Sequence, residues 1–279
     1  MRSRQLRTGC DFSSDTSPST HHLNRQPTMT STAANVKGKI ILVTGGAQGI
    51  GGAAAQLCAQ RGAEVIITDI KDETGEALAA SLQAEGHKAR YERLDVRRRE
   101  DAQRVFDQVK ARHGRLDVLI CSAGVLRGPN LMPDAFPVDV FDDVIAVNVR
   151  GVFLCVKEAY PLLKASENGV ILLVGSGAGV TGASSSIAYG TSKGAVNGMG
   201  MTLENHLRDK GIRVNVVCPG GIETELKLRQ MRESAEAQGQ AFDLEDARSH
   251  LGDPEGVGEA LAFLASDDGR YIRRNLFTR

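Results

Sequence analysis

The chain of 279 residues carries 34 basic and 34 acidic side chains, so its formal net charge at pH 7 is zero. This balance argues against nucleic acid and anionic membranes as partners, because both attract a basic surface. With 41% hydrophobic side chains the chain can bury one sizeable core, and no apolar run approaches the roughly 20 residues of a spanning helix. We therefore expect a soluble protein that acts on a small molecule.

The first 36 residues differ in composition from the rest of the chain. They are rich in Ser, Thr and Arg and lack hydrophobic periodicity, which predicts a disordered extension over residues 1–36. Three interpretations stay open: a disordered tail or a mis-assigned start with Met29 as the true one, an organellar transit peptide, and a functional arm. Asp11 and Asp15 argue against the transit peptide, since such segments are poor in acidic residues.

The five cysteines are widely scattered and odd in number, without a Cys-x-x-Cys or His-x-x-x-His arrangement among them. This pattern indicates a reducing compartment and no structural zinc. We expect a cytoplasmic protein without a bound metal.

From Lys39 onward, short β-branched runs alternate with longer amphipathic segments, as in a parallel sheet with crossover helices. The predicted strands are 40–44, 64–69, 89–95, 116–121, 170–176 and 212–218. The predicted helices are 49–61, 73–85, 99–112, 141–165 and 188–210. Because right-handed crossovers place helices on both faces, we predict a Rossmann-like doubly wound sheet with three α/β/α layers. One domain over residues 37–279 accommodates it.

Ligands of such sheets bind beyond the carboxyl ends of the strands, where the strand order reverses. The predicted strands end at or beside Thr44, Asp69, Asp95, Cys121, Ser176 and Cys218. The functional site is therefore expected along this edge of the sheet.

A glycine-rich segment, T-G-G-A-Q-G-I-G, directly follows the first predicted strand and opens a helix. Gly45, Gly49 and Gly51 permit a tight turn and a close approach of backbone N–H groups to a pyrophosphate. The spacing is G-x-x-x-G-x-G rather than the common G-x-G-x-x-G. Taken alone, the segment is compatible with a nucleotide site or with a plain glycine-rich turn.

Asp69 ends the second predicted strand about 20 residues after these glycines. A carboxylate there can bind both hydroxyls of an adenosine ribose and repel a 2′-phosphate, which favours NAD over NADP. The alternative is a strand-end aspartate that caps the next turn. Lys71, two residues later, would weaken the exclusion of NADP, while Asp95 and Val96 suit the edge of an adenine.

Tyr189 and Lys193 are four residues apart in Y-G-T-S-K, on one face of a predicted helix. A nearby ammonium favours the phenolate and lowers the pKa of a tyrosine from about 10, which makes the pair a general acid or base. Ser176 would hold the same substrate oxygen in place. Taken alone, the pair is also compatible with a solvated helix face.

Several motifs in one order make residues 37–272 resemble the classical branch of the short-chain dehydrogenase/reductase family. The glycine motif of the family matches residues 44–51, and its Y-x-x-x-K motif matches Tyr189 and Lys193. Its P-G-x-I-x-T segment matches residues 219–224, with Gly221 at the variable position. In addition, its catalytic serine falls on Ser176 and its helix-borne asparagine on Asn148, in N-V-R-G.

The resemblance implies a mechanism in which Tyr189 exchanges a proton with the substrate oxygen while hydride passes between the substrate carbon and a nicotinamide. It also implies that Ser176 orients the substrate oxygen and that Asn148 supports a water that links Lys193 to solvent. Lys193 would lower the pKa of Tyr189 and bind the nicotinamide ribose. Thr224 would meet the carboxamide of the nicotinamide.

The predicted catalytic residues are Asn148, Ser176, Tyr189 and Lys193, and the predicted substrate contacts are Ser176, Ala178 and Tyr189. The cofactor is predicted to be NAD, with NADP less favoured. Its predicted contacts are Gly45, Gln48, Gly49, Ile50, Gly51, Asp69, Asp95, Val96, Ser122, Ala123, Gly124, Tyr189, Lys193, Pro219, Gly220, Ile222 and Thr224.

The expected function is the interconversion of a secondary alcohol and its ketone by an NAD-dependent oxidoreductase. Two alternatives stay open: an NADPH-dependent 3-oxoacyl carrier-protein reductase, and a non-catalytic NAD-binding or scaffold protein. Measuring nicotinamide turnover distinguishes the scaffold from the enzymes, and the preference for NADH or NADPH distinguishes the two enzymes.

The chain departs from the family pattern at two places. The usual N-N-A-G reads C-S-A-G at residues 121–124, where Cys121 is interpreted as a small buried apolar residue. After Tyr271 and Ile272 the family's Y-I-T-G pattern is lost, so the seventh strand is predicted to be short or incomplete. Family tetramers often use this region in an interface. Because the region departs from the family pattern here, the expected homo-oligomer is either a dimer or a tetramer.

Residues 223–250 are polar and helix-prone, and the resemblance implies that they form a mobile lid. Lys227, Arg229 and Arg232 in this segment are compatible with binding an anionic group or with a solvated helix face.

Overall fold

In the computed structural model, which describes residues 34–278, seven parallel strands form one sheet in the order β3-β2-β1-β4-β5-β6-β7. The strands are β1 (Ile40–Thr44), β2 (Glu64–Asp69), β3 (Lys88–Arg93), β4 (Val118–Cys121), β5 (Gly169–Val174), β6 (Ile212–Pro219) and β7 (Arg274–Thr278). The α-helices in this range are α1 (Gly49–Gln60), α2 (Asp72–Ala84), α3 (Arg99–His113), α4 (Val138–Ile145), α5 (Val152–Lys164), α6 (Ile187–Leu207), α7 (Glu225–Ala237), α8 (Leu244–Ser249) and α9 (Pro254–Ala265). The predicted doubly wound, Rossmann-like sheet is confirmed.

The two faces of the sheet are buried in separate apolar layers. Successive side chains of a strand point to opposite faces, and β1 illustrates the alternation. Ile41 and Val43 pack in the layer that includes residues of α1 and α9. Ile40 and Leu42 pack in the layer that includes residues of α3, α5 and α6. A central strand buried on both faces reads as an unbroken apolar run, which is why its bounds were predicted correctly.

β3 and β5 each end two residues earlier than predicted, so Asp95 and Ser176 lie in the loops that follow these strands. β5 stops because its ladder with β4 ends at Leu173. Beyond that point the chain stays tied to the β6 side only, since Gly175 N donates to Val217 O at 2.7 Å. The apolar pattern marks buried residues, and it does not show where the neighbouring strand ends.

The helix predicted over residues 141–165 is wrong as a single α-helix. It begins three residues earlier, at Val138, and a π-helical segment (Ala146–Gly151) separates α4 from α5. Asn148 lies in this segment, and such bulges often occur at functional sites. Their hydrogen-bond shift leaves the apolar periodicity almost intact, so the sequence does not reveal it.

The predicted extension falls mostly outside the described residues, because residues 1–33, including Met29, are not described. The last three residues of the predicted extension, 34–36, are described. Ala34 is buried, and Val36 lies fully buried in the core layer of α1 and α9. The carbonyl of Val36 also accepts a hydrogen bond from Lys39 N at 3.1 Å. The end of the predicted N-terminal extension therefore contributes to the folded core.

β7, predicted to be short or incomplete, is five residues long and pairs with β6 along its whole length. The register aligns Asn215 with Arg274 and Pro219 with Thr278. The segment predicted to be a lid contains α7 and α8, which agrees with its helix-prone composition. Whether the segment moves stays a prediction.

A buried carboxylate, that of Asp117, joins the amino ends of β1, β4 and β5. Its Oδ2 accepts the backbone N–H of Ile40 at 2.8 Å, and its Oδ1 accepts the hydroxyl of Ser166 at 2.6 Å. We expect Asp117→Ala to lower the free energy of unfolding by about 3 kcal/mol, because it leaves a buried N–H without an acceptor. Chemical denaturation measures this loss. Asp107→Ala, at an exposed position of α3, is the control; equal midpoints for the two variants would refute this role for Asp117.

Candidate active site

A cavity of about 610 Å³ runs along the loops that follow β1, β2, β4, β5 and β6. Every predicted cofactor contact and every predicted substrate contact lines it. Of the four predicted catalytic residues, Ser176, Tyr189 and Lys193 line the cavity, and Asn148 does not. The strand order puts these loops side by side because the chain reverses direction across the sheet between β1 and β4.

The glycine loop packs too closely for side chains. Gly45 and Gly49 adopt φ values of +63° and +56°, in the left-handed region that favours glycine. A Cβ at Gly45 would lie 2.6 Å from the Cα of Ala123, and one at Gly51 would lie 2.2 Å from the carbonyl oxygen of Gly45. The first turn of α1 lines the cavity. Backbone N–H groups of a first helical turn have no intrahelical acceptor, so they suit a phosphate.

Asp69 both caps a turn and faces the cavity. Its Oδ1 accepts the N–H groups of Ile70 at 2.7 Å and Lys71 at 3.2 Å, while its Oδ2 accepts that of Ala47 at 3.2 Å. The same residue lines the cavity. The two interpretations of Asp69 are therefore compatible, since the turn holds the carboxylate in a fixed orientation beside the glycine loop.

Two cations that line the cavity, Lys71 and Arg97, are paired with carboxylates. Lys71 Nζ lies 2.5 Å from Glu225 Oε2, and Arg97 contacts Asp95 at 2.7 Å and Asp143 at 2.9 Å. The hydrogen bonds from Arg97 hold the pKa of Asp95 below its usual value. Asp95 and Val96 line the cavity, and the carboxylate of Asp95 is already paired with a guanidinium. Their contact with an adenine stays a prediction.

The start of α6 positions Tyr189. Ser186 is the N-cap of this helix and accepts the N–H of Tyr189 at 3.2 Å, while its own hydroxyl donates to Arg127 O at 2.7 Å. Ser176, in the loop after β5, accepts the N–H of Ala178 at 3.1 Å. That bond uses the oxygen of Ser176 as an acceptor, so its hydroxyl hydrogen can be donated, and the phenol oxygen of Tyr189 is the acceptor that it meets here.

Lys193 is buried, with 5% of its surface exposed, and its Nζ donates to Val174 O at 2.8 Å. The ammonium lies 5.5 Å from the ring centroid of Tyr189. Burial lowers the pKa of Lys193 to about 8. Burial also raises the pKa of Tyr189. A hydrogen bond from Ser176 acts in the opposite direction but does not outweigh burial.

The predicted lowering of the Tyr189 pKa by Lys193 is therefore not seen in this structure. Burial favours the neutral form of both groups, and Nζ is directed to a main-chain carbonyl. The spacing of four along the helix correctly placed the two side chains near each other. It carried no information about which acceptor the ammonium meets.

Asn148 lies behind the cavity and is almost completely buried. Its Oδ1 accepts Val125 N at 2.8 Å, and its Nδ2 donates to Val125 O and to Ser192 Oγ, both at 2.9 Å. The hydroxyl of Ser192 in turn donates to the main-chain carbonyl oxygen of Tyr189 at 2.8 Å. The side chain thus joins the loop after β4 to the helix that carries Tyr189 and Lys193.

Four contributors to the site escaped sequence reasoning: Val174, Ser192, Arg97 and Glu225. Ser192 lies inside the Y-G-T-S-K motif, and Glu225 directly follows Thr224. Their positions next to predicted site residues could have indicated that they contribute to the site. Val174 contributes only its carbonyl oxygen, which no side-chain pattern can indicate.

Three apolar residues, Val125, Leu126 and Ala183, also line the cavity. Lys227 and Arg229 also line it, whereas Arg232 does not and instead lies over the Phe242 ring at 5.2 Å. Burial lowers the pKa of Lys227, whose Nζ donates to Gln230 Oε1 at 2.8 Å. The three cations therefore have different environments, and only two of them face the cavity.

Within residues 34–278, no group of three or more His, Cys, Asp or Glu side chains is arranged to hold a metal ion. In the same range, no helix has the length and apolar character needed to cross a membrane. Four cysteines of this range, Cys58, Cys121, Cys155 and Cys218, are buried free thiols. Burial raises the pKa of Cys121 well above its usual value, which disfavours a reactive thiolate.

The chain is similar to a known protein family over most of its length. A family model described as short chain dehydrogenase matches residues 39–235. The chain is 35% identical over 246 residues to Tropinone reductase-like 1 of Erythroxylum coca, covering 85% of this chain and 87% of that protein. It is also 35% identical over 237 residues to the 3-oxoacyl-(acyl-carrier-protein) reductase FabG of Thermotoga maritima, covering 85% and 94%.

Solved structures resemble it as well. The crystal structure of a dehydrogenase/reductase from Sinorhizobium meliloti 1021 matches with a TM-score of 0.76 and 28% sequence identity. The match covers 88% of this chain and 95% of that one. The fold is therefore shared over most of both chains.

Proposed function

The chain belongs to the short-chain dehydrogenase family, and from this premise we propose that it interconverts a secondary alcohol and its ketone with NAD(H) as cofactor. One observation carries the proposal: Ser176, Tyr189 and Lys193 line the same cavity as the glycine loop and Asp69. A proton donor for an oxygen and a binding edge for a dinucleotide thus share one space.

The residues present fit a nicotinamide dinucleotide. The side-chain-free glycine loop and the first turn of α1 suit the pyrophosphate, and the oriented carboxylate of Asp69 suits the ribose hydroxyls. Pro219, Ile222 and Thr224 would hold the nicotinamide end. When bound, the nicotinamide supplies or accepts a hydride, a reaction that protein side chains cannot perform.

The chain's own residues handle the substrate oxygen and its proton. Ser176 donates a hydrogen bond to this oxygen and holds it beside the phenol. Tyr189 gives its proton to the oxygen as a ketone is reduced and recovers it as an alcohol is oxidised. Because burial raises the pKa of Tyr189, the hydroxyl is protonated at neutral pH and is ready to act as the acid.

Burial outweighs any effect of Lys193 on the pKa of Tyr189 before the reaction, but the ammonium lies 5.5 Å from the ring centroid and would favour the phenolate that forms when Tyr189 gives up its proton. Asn148 acts through other residues, because its amide joins Val125 to Ser192 and so holds the loop after β4 against α6. We therefore assign Asn148 as a positioning residue. We also propose that it supports a water that links Lys193 to solvent.

The preference for NAD is supported by the charges around Asp69. A 2′-phosphate needs a cation, and two cations of the cavity lining, Lys71 and Arg97, are both paired with carboxylates. The same pairing argues against the NADPH-dependent carrier-protein reductase, even though a FabG protein is among the relatives.

The cofactor preference gives the first test. We expect catalytic efficiency with NADH to exceed that with NADPH at least about tenfold in ketone reduction, because Asp69 repels a 2′-phosphate. Asp69→Asn, which keeps one acceptor oxygen for the turn, should lower efficiency with NADH about tenfold. Absorbance of the reduced nicotinamide at saturating ketone measures both values.

A clear preference of the unmodified enzyme for NADPH would reverse the assignment of cofactor. A panel of small ketones and secondary alcohols in the same assay distinguishes the enzyme from the non-catalytic alternative. Absence of turnover across the panel with bound nucleotide would favour a binding or scaffold protein. A cytoplasmic homo-oligomer, either dimer or tetramer, and a lid over residues 223–250 complete the proposal.

A further inference from the structure

Three polar side chains from distant parts of the chain meet at the mouth of the cavity. Lys71 Nζ donates to Gln48 Oε1 at 3.0 Å and to Glu225 Oε2 at 2.5 Å. Gln48 Nε2 donates to the same carboxylate oxygen at 2.8 Å. We call Gln48, Lys71 and Glu225 the clasp. It joins the glycine loop, the turn after β2 and the first residue of α7.

The clasp stands beside the carboxylate that we assign to the adenosine ribose. The backbone N–H of Lys71 donates to Asp69 Oδ1 at 3.2 Å, so both residues belong to one turn. Gln48, Asp69, Lys71 and Glu225 all line the cavity. The turn that holds the Asp69 carboxylate thus also carries Lys71, and the ammonium of Lys71 is paired with Glu225. We take this ammonium as the cation available to a group at the 2′ position of a ribose held by Asp69.

Charge decides what this arrangement accepts. Lys71 alone would be a suitable partner for a 2′-phosphate, whose two negative charges need a cation. Glu225 takes up that ammonium and adds a negative charge of its own. The hydrogen bond from Lys71 holds the pKa of Glu225 below its usual value, so the carboxylate is ionised at neutral pH. Gln48 is neutral and cannot replace it.

We propose that Glu225 is a second determinant of NAD specificity, which occupies Lys71 and thereby removes the cation that NADP would require. The inference rests on the proposed use of a nicotinamide dinucleotide. It differs from the role of Asp69, because Glu225 acts from the helix that covers the site, 154 residues away from Lys71 in the chain.

The experiment measures binding of NADH and NADPH to Glu225→Gln by nicotinamide fluorescence and by calorimetry. The chain has no Trp, so protein emission does not obscure the nicotinamide signal. We expect affinity for NADPH to rise at least about tenfold, while affinity for NADH changes less than about threefold. Glutamine keeps the size and the hydrogen-bonding oxygen, so only the charge is removed.

Two further variants isolate the cause. In Glu225→Gln combined with Lys71→Met, affinity for NADPH should return to within about threefold of the unmodified protein, because the released cation is gone. Glu236→Gln, an exposed position on the same helix, removes an equal charge outside the clasp and should leave both affinities unchanged.

An unchanged ratio of NADPH to NADH affinity in Glu225→Gln would overturn the inference. Equal weakening of both would also overturn it, since the clasp would then only anchor α7. The readout is the change in the ratio between unmodified and variant protein. This change tests the role of Glu225, whereas the preference of the unmodified protein tests the assignment of NAD. A preference of the unmodified protein for NADPH would contradict the assignment of NAD and leave the role of Glu225 to be decided by the variant. A protein that binds neither dinucleotide would refute both.

Discussion

Tyr189→Phe should lower turnover at least about a thousandfold while leaving affinity for NADH within about twofold. Phenylalanine fills the same space but has no proton to give, so a ketone oxygen would gain negative charge without neutralisation. The measurement is steady-state reduction of a ketone identified from the panel, together with fluorescence titration of NADH. Burial makes the loss larger, because a buried oxyanion has little water to stabilise it.

Tyr271→Phe is the matched control, since Tyr271 is 84% exposed and lies outside the cavity. Both kinetic constants of that variant should equal those of the unmodified enzyme. If Tyr189→Phe retained substantial turnover, another group would have to supply the proton, and the assignment of Tyr189 would be wrong. If it lost NADH affinity in parallel, Tyr189 would act in binding instead of proton transfer.

Lys193→Met should lower turnover at least about a hundredfold and yet raise the free energy of unfolding at pH 7 by about 2 kcal/mol. Burial lowers the pKa of Lys193 from 10.5 to about 8, so the folded protein bears the cost of a buried ammonium at neutral pH. Methionine has a similar length and no charge. Loss of the hydrogen bond to Val174 O offsets part of the gain.

The pH dependence of this difference follows from the direction of the pKa shift. Below about pH 8 both the folded and the unfolded protein hold the proton, and the cost of burial is present in full. Between about pH 8 and 10.5 the unfolded chain binds more protons than the folded one, so the unmodified protein gains stability as pH rises. The advantage of the methionine variant should therefore fade through this window.

Chemical denaturation of both proteins at pH 7 and pH 10 checks this second prediction. Comparing the two proteins at each pH cancels the titration of every other group. A methionine variant that is less stable at pH 7 would show that the hydrogen bond to Val174 outweighs the cost of burial. A difference that stays constant from pH 7 to pH 10 would show that the ammonium does not titrate in this window.

Most of the fold could be predicted because its strands are buried on both faces. A short, unbroken apolar run such as that of β1 or β2 is typical of a strand buried on both faces, so the predicted and observed bounds agree. The ends of β3 and β5 could not be predicted in the same way, because they depend on how far a neighbouring strand reaches. The π-helical segment around Asn148 escaped for a related reason, since it is a change of hydrogen bonding within an ordinary helical pattern.

The candidate site followed from sequence to the extent that motifs lie at strand ends. Gly45, Asp69 and Ser176 were predicted to lie at one edge of the sheet, and they line one cavity together with Tyr189. The clasp shows the limit of this reasoning. Glu225 and Lys71 are each ordinary polar residues in the sequence, and their contact exists only because α7 folds back over the turn after β2.

The sequence by itself determined which residues are available for chemistry and which loops carry them, because helix and strand periodicities are local and strand ends meet at one edge. Only the tertiary structure decided the charge states and the partners of those residues. Lys193 donates to Val174, Asn148 joins Val125 to Ser192, and burial raises the pKa of Tyr189. A pKa and a hydrogen bond depend on everything packed around a group, and most of that comes from distant parts of the chain.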